Sequence, residues 1–322
     1  MINLIGNKWQ RSLSLFLLAI ASLGLTGSNF TAKRERIPIL GFHDIIDLQN
    51  PAQIPPYRQS FEIDYTKQDL EKFLEFLIKE NYWFLSAQDL YIYFVEKSQP
   101  IPAEYYGRKP IMLTFDDGYQ GIHENALPIL EKLAKKYNRK GKLVLFINPR
   151  TMGMQNDEKD VPHTTCEDLR EGYQKGFYDI QSHGYSHQDL TKLKGKALDN
   201  ELGLAKFALR KCLHDLDKNK LVAAHIAYPY GAVNKSVEKA LKPYYISGFL
   251  YDDKFVRVNR INNKMRISRL TINNKMTAQQ LIEQATAAST LIPPTEQLDN
   301  DDNTKNPQVS KPRNRRLRNR KR

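Results

Sequence analysis

Short apolar runs without turn residues recur along this chain, each followed by a stretch whose apolar residues return every three or four positions. Residues 37–44, 82–85, 109–115, 143–147, 178–182, 224–228, 245–250 and 267–270 read as strands. Runs such as Ile111-Met112-Leu113 carry no polar alternation, which suits strands covered on both faces. Between them, residues 66–80, 86–95, 125–137, 165–175, 197–217, 234–241 and 277–289 read as helices. In the first of these, Thr66 and Asp69 form a capping pair and Leu70, Phe73, Leu74 and Leu77 share a face. Strand and helix alternating in this way predict an α/β fold on a parallel sheet, open or closed into a barrel. A length of 322 residues accommodates one large domain or two smaller ones.

The two ends of the chain read differently. Lys8 and Arg11 precede an apolar run of about 13 residues, short against the roughly 20 of a membrane span, with Ala19-Ile20-Ala21 as a cleavage motif. Residues 1–31 are therefore expected to be an export signal or an uncleaved N-terminal anchor, placing the protein outside the cytoplasm. Residues 32–290 form the expected folded domain. The 291–322 tail holds nine Lys or Arg against four acids and almost no apolar residue, so it is expected to be disordered. It supplies +5 of the net charge of +13 and suits contact with an anionic membrane surface or an acidic polymer. Nucleic acid is not expected as a partner of an exported chain. Cys166 and Cys212 exclude a cysteine-zinc site; one disulfide stays open, and two free buried thiols are the commoner outcome.

Three predicted strands end in groups that can carry chemistry. The strand 109–115 runs into Asp116-Asp117-Gly118. Adjacent carboxylates repel, so both stay ionised only with a cation nearby or full solvation; the alternative is an ordinary turn, for which Asp-Asp-Gly is well suited. After the strand 178–182 come His183 and His187, which meet on one face if that turn is helical and otherwise are two surface histidines. Parallel strands put both motifs on one rim of the sheet. Two imidazoles and a carboxylate form a ligand set used by hydrolytic zinc, and a second carboxylate beside it is placed to act as general base. The third strand end, Ala227-Tyr228-Pro229-Tyr230-Gly231, is a turn that can aim an amide N–H at an oxyanion.

In this order the three segments resemble the signature of the polysaccharide deacetylases, carbohydrate esterase family four, over residues from about 109 to about 290, with 37–96 as an N-terminal extension. The resemblance implies a distorted (β/α) barrel that removes N-acetyl groups from an amino-sugar polymer. It implies Asp116 as general base, Asp117, His183 and His187 as metal ligands, and the backbone N–H of Tyr230 at the oxyanion. The implied cofactor is a divalent metal, zinc first, with nickel or cobalt also accepted by such ligands. Three departures stand out. Gly184 replaces a usual Ser or Thr, Ala227 replaces the Arg that steadies the base, and Ile267-Ser268-Arg269-Leu270 lacks the histidine that protonates the leaving amine. Arg266 or Arg269 is a candidate for the missing guanidinium. His43, in Leu40-Gly41-Phe42-His43-Asp44, resembles the N-terminal motif of exopolysaccharide deacetylases acting on poly-N-acetylglucosamine, where that histidine stands in as general acid. The expected substrate is a β-linked N-acetylglucosamine polymer. Peptidoglycan or chitin oligomers would use the same residues, and a carbohydrate-binding pseudoenzyme is the reading from another class.

Overall fold

The computed structural model describes residues 36–155 and 161–291, so residues 1–31, nearly all of the 291–322 tail and part of the predicted 148–163 loop lie outside the described residues. The central sheet contains β1 (Ile39–Phe42), β2 (Trp83–Phe84), β3 (Pro110–Asp117), β4 (Leu143–Ile147), β5 (Tyr178–Ser182), β6 (His225–Ala227), β7 (Ser247–Phe249) and β8 (Leu270–Thr271). Its order is β7-β6-β5-β4-β3-β1-β8, with β2 also paired to β3. Every neighbouring pair in it is parallel. Helices α1 (Lys67–Lys79), α2 (Leu127–Tyr137), α3 (Cys166–Gln174), α4 (Lys196–Cys212), α5 (Lys235–Leu241) and α6 (Ala278–Thr286) fall between the strands or after the last.

The sheet curls because its last strand returns to its first. Ile267 bridges Phe249 beside β7, and three residues later Leu270 pairs with Leu40 of β1. The segment 267–271 thus spans the seam, closing the parallel sheet expected from the alternation into the distorted (β/α) barrel that the family resemblance implies. Two cores follow from side chains alternating across each strand. Ile111, Leu113, Phe115, Leu143, Leu145 and Ile147 face the cluster that packs on the helices. Met112, Val144 and Phe146 belong to a second cluster with Ile39, Phe249 and Ile267. Burying one such side chain contributes roughly 1.5–3 kcal/mol.

Three local features depart from expectation. The helical pattern of 125–137 is entered through a π-wound turn, Ile122–Ala126, and Pro128 sits at the second position of α2, where its missing N–H breaks no helical bond. The stretch 86–95 starts as a short helix, Ala87–Asp89, and continues π-wound through Leu90–Val95. The cysteines are not free thiols. Cys166 opens α3 and Cys212 ends α4, and packing brings their Cα atoms to 5.8 Å, where they form a disulfide closing 46 residues of sequence. Sequence spacing carries no information on that proximity.

Candidate functional site

Strand alternation alone would send Asp116 and Asp117 to opposite faces of β3. Met112, Thr114 and Asp116 share the inward side, and Asp116 is fully buried. Asp117 reaches the same rim because its backbone turns left-handed, at φ 69°, followed by Gly118 at φ 80°. His183, just past β5, brings Nε2 to 3.5 Å from Asp117 Oδ1 and 3.8 Å from Asp116 Oδ2, and His187 Nε2 lies 3.3 Å from Asp117 Oδ1. The two imidazoles do not meet across a helical turn. Gly184 at φ 77° and His187 at φ 57° fold the segment into a loop that sets the ring centroids 5.1 Å apart. Gly184 also explains the absence of Ser or Thr there: an L side chain is strained at that φ, and a Cβ would lie 3.2 Å from Glu201 Oε1.

The loop is held by groups the sequence reading did not single out. Glu201 of α4 accepts from the Ser186 N–H at 2.6 Å and from its hydroxyl at 2.9 Å. The Asn148 side chain donates to the His183 carbonyl at 2.6 Å. Glu201 had a legible signal: it is an acid on the face of α4 that buries Leu198, Leu202, Ala205 and Leu209.

Asp117, His183 and His187 present one ligand atom each, all within 4.8 Å of one another. The donors fit a divalent ion chemically. His183 Nδ1 lies 2.9 Å from the Ala227 carbonyl, which can only accept, so Nδ1 carries the proton and Nε2 keeps its lone pair toward Asp117. Burial, only partly opposed by the charge of Asp116, pushes the His183 pKa down to about 4, keeping the imidazole neutral.

Asp116 is fixed by an arginine that enters through the seam. Arg269, fully buried, donates to its two carboxylate oxygens at 2.7 and 2.8 Å, to Thr114 Oγ1 at 3.0 Å and to the Leu250 carbonyl at 2.9 Å. Burial alone would raise the Asp116 pKa; the Arg269 charge, helped by His183, outweighs it and holds the carboxyl below its ordinary range. Arg266, the other candidate, instead pairs with Glu238 on the surface. Of the two candidates, Arg269, just before β8, is therefore the guanidinium that contacts Asp116.

His43 follows β1, whose Phe42 is in register with Phe115 of β3, so His43 is the next residue across from Asp116. The charge of His43 is among those acting on Asp116. Its ring stacks on Tyr251 at 5.7 Å with 9° between planes, and the Arg269 guanidinium lies 4.1 Å from the centre of the same Tyr251 ring. Tyr251 fits only because residue 41 is glycine, where a Cβ would lie 2.3 Å from the tyrosine oxygen. Tyr230, 70% exposed, sits at φ 59° with its hydroxyl 3.2 Å from His187 Nδ1. The N–H groups of Gly231 and Ala232 close that turn onto Tyr228 and Pro229. All six residues proposed from the sequence thus gather at one rim of the barrel. Three of them, Asp117, His187 and Tyr230, are held in left-handed backbone, which costs a non-glycine residue on the order of 1–3 kcal/mol and concentrates at functional sites.

Residues 104–247 match the polysaccharide deacetylase family. The chain is 30% identical over 250 residues to the poly-β-1,6-N-acetyl-D-glucosamine N-deacetylase of Staphylococcus epidermidis, covering 76% of this chain and 78% of that one. Its fold is similar to that of the Streptococcus pyogenes deacetylase PplD, with TM-score 0.61 and 22% identity over 78% of this chain and 98% of that one. It is also similar to IcaB from Ammonifex degensii, with TM-score 0.59 and 18% identity over 78% and 97%. The chain belongs to the polysaccharide deacetylase family and is a polysaccharide N-deacetylase, a hydrolase of an amide bond that is not a peptide bond.

Proposed function

We propose that this chain is an exported, metal-dependent N-deacetylase acting on a β-linked N-acetylglucosamine polysaccharide. The observation that carries the reading is the Asp117–His183–His187 cluster beside an Asp116 already clamped by Arg269. The relative in Staphylococcus epidermidis, by its name, acts on poly-β-1,6-N-acetyl-D-glucosamine, which supports the polymer.

Asp117, His183 and His187 would hold the ion, with zinc the first choice and nickel or cobalt accepted by the same donors. When bound, the ion supplies Lewis acidity to the acetyl carbonyl and to the attacking water. The remaining work falls to the chain. Asp116 accepts the proton that water loses as its oxygen bonds to the carbonyl carbon; Arg269 occupies one lone pair on each carboxylate oxygen and leaves others for that proton. The Tyr230 N–H donates to the oxygen that gains charge. His43 gives a proton to the sugar nitrogen as the C–N bond breaks, so that acetate and an amine leave. The disulfide supports an oxidising compartment, in keeping with the proposed export. The basic tail would add contact with an anionic surface or acidic polymer.

The test is acetate release from β-1,6-linked N-acetylglucosamine oligomers, with chitin oligomers and peptidoglycan as competitors, alongside metal content. Asp117→Asn should lose both metal and turnover. His43→Ala should keep its metal and lose about a hundredfold or more in kcat. Sugar binding without metal or acetate would mark a binding protein. Near-normal turnover in His43→Ala would remove the acid from its role.

A further inference from the structure

Beside the seam lies a cavity of about 610 Å³ that Ile267 and Ser268 line, while Arg269 and Asp116 do not. Five of its lining residues are basic: Arg36, Lys254, Arg257, Arg260 and Arg266. The single lining acid, Asp253, turns its carboxylate to the Thr271 N–H at 2.8 Å. Arg266 is already paired with Glu238, and Lys254 lies 3.1 Å from Asp252. Arg36, Arg257 and Arg260 have no acidic partner among the described residues.

An ordinary solvated basic face would spread such charges apart. Here Arg36 and Arg257 are directly opposite each other on the antiparallel pair Arg36–Ile37 and Val256–Arg257, an arrangement of like charges that opposes pairing. A concave wall also concentrates the field of the charges that line it. The cavity is not purely ionic. Phe255, Val256, Ile261 and Ile267 contribute apolar surface, and the Phe255 ring centre lies 6.0 Å from the Arg36 guanidinium. Asn262 and Asn263 add amide groups. Guanidinium forks for an acid group, an aromatic face for a ring and amides for hydroxyls together match an anionic sugar. The volume falls in the range of about 300–1,000 Å³ occupied by organic ligands, well beyond what a lone ion needs.

We infer that this cavity is a binding site for an acidic glycan segment, one whose sugars bear carboxylate or phosphate. It is separate from the metal rim and does not depend on the deacetylase reading. It would attach the protein to an acidic polymer while the rim works on N-acetyl groups. Being built on charge, the attachment should weaken with salt, as exposed charge pairs do beyond a Debye length of about 10 Å at 0.1 M.

The experiment is calorimetric titration of the full chain at low salt with oligogalacturonate, a phosphorylated oligomannoside and neutral chitin oligosaccharide. Arg257→Gln, Arg260→Gln and, as a control for the basic tail, Arg318→Gln are measured beside the parent. The expected result is binding of an acidic oligomer that weakens about tenfold in Arg257→Gln and in Arg260→Gln but not in Arg318→Gln. The tighter of the two acidic probes identifies carboxylate or phosphate as the recognised group. Binding that survives both cavity substitutions belongs to the tail and overturns the assignment, as does no binding of either acidic probe. Acetate release should be unchanged in both cavity variants, and Asp117→Asn should retain anion binding, so a failure here is separable from a failure of the catalytic reading.

Discussion

At the scale of single residues, the site is a problem of keeping two neighbouring carboxylates ionised for different ends. Asp117 faces two imidazoles, and Asp116 faces a guanidinium. Arg269→Ala would leave Asp116 buried with its cation gone, which costs about 3–5 kcal/mol when a buried pair is broken from one side. The sign of the pH effect follows. In the parent, the depressed pKa keeps Asp116 a carboxylate down into acidic solution, so its limb of the activity profile lies below the ordinary carboxylate range. Without Arg269, burial acts unopposed and the limb must move to higher pH. A profile of kcat/KM against pH in Arg269→Lys and Arg269→Ala, with urea midpoints, checks both statements. An unmoved limb would mean that Asp116 is not the base.

At the scale of elements, the loop after β1 is held by three buried charges. Asp44 and Asp64 share Arg58, at 2.9 and 2.8 Å. Burial is the largest influence on Asp44, raising its pKa; Arg58 and the N–H groups of Ile45 and Gly121 oppose it, Asp64 reinforces it, and the value rises from 3.8 to about 7. A native state that keeps this proton while the unfolded chain has lost it becomes less stable as pH rises. The penalty is absent below about 4, grows toward about 7 and is fully present above. Denaturant midpoints of the parent and of Asp44→Asn across that window should diverge, with the parent losing ground as pH rises. Parallel curves would reject the assignment. Legibility in the sequence follows the same scale. Ile111, Met112, Leu113 and Phe115 announced a buried strand because no turn residue interrupts them, and the rim residues were legible because parallel strands all end on one side. What stayed hidden depends on curvature. Arg269 lies in a weak strand pattern, and only closure of the sheet carries it to Asp116 across 153 residues of sequence. The His183–His187 spacing suggested a helix, while left-handed residues at 184 and 187 made a loop. Tyr251 was missed although it follows β7 at the same rim, because the gap at Gly41 that admits it lies on another strand.

At the scale of the molecule, the disulfide ties α3 to α4 around β5, which delivers His183. For a separation of 46 residues, the loop-closure argument gives roughly 4 kcal/mol as an upper figure. The double variant Cys166→Ala with Cys212→Ala should therefore unfold at clearly lower denaturant while keeping its turnover when folded. Equal midpoints for parent and double variant would deny the bridge a stabilising role. The seam has a consequence of another kind. The last strand of the sheet closes against the first, and the same short segment brings the arginine that Asp116 requires. Nearly the whole sheet can therefore be synthesised before Asp116, the proposed base, is clamped, because Arg269 is made late and contacts between distant parts of a chain form slowly. On the proposed role of Asp116, completion of the barrel and onset of catalysis become a single event. A chain interrupted before residue 267 would carry every proposed metal ligand and still be silent, so the polymer would meet only finished molecules.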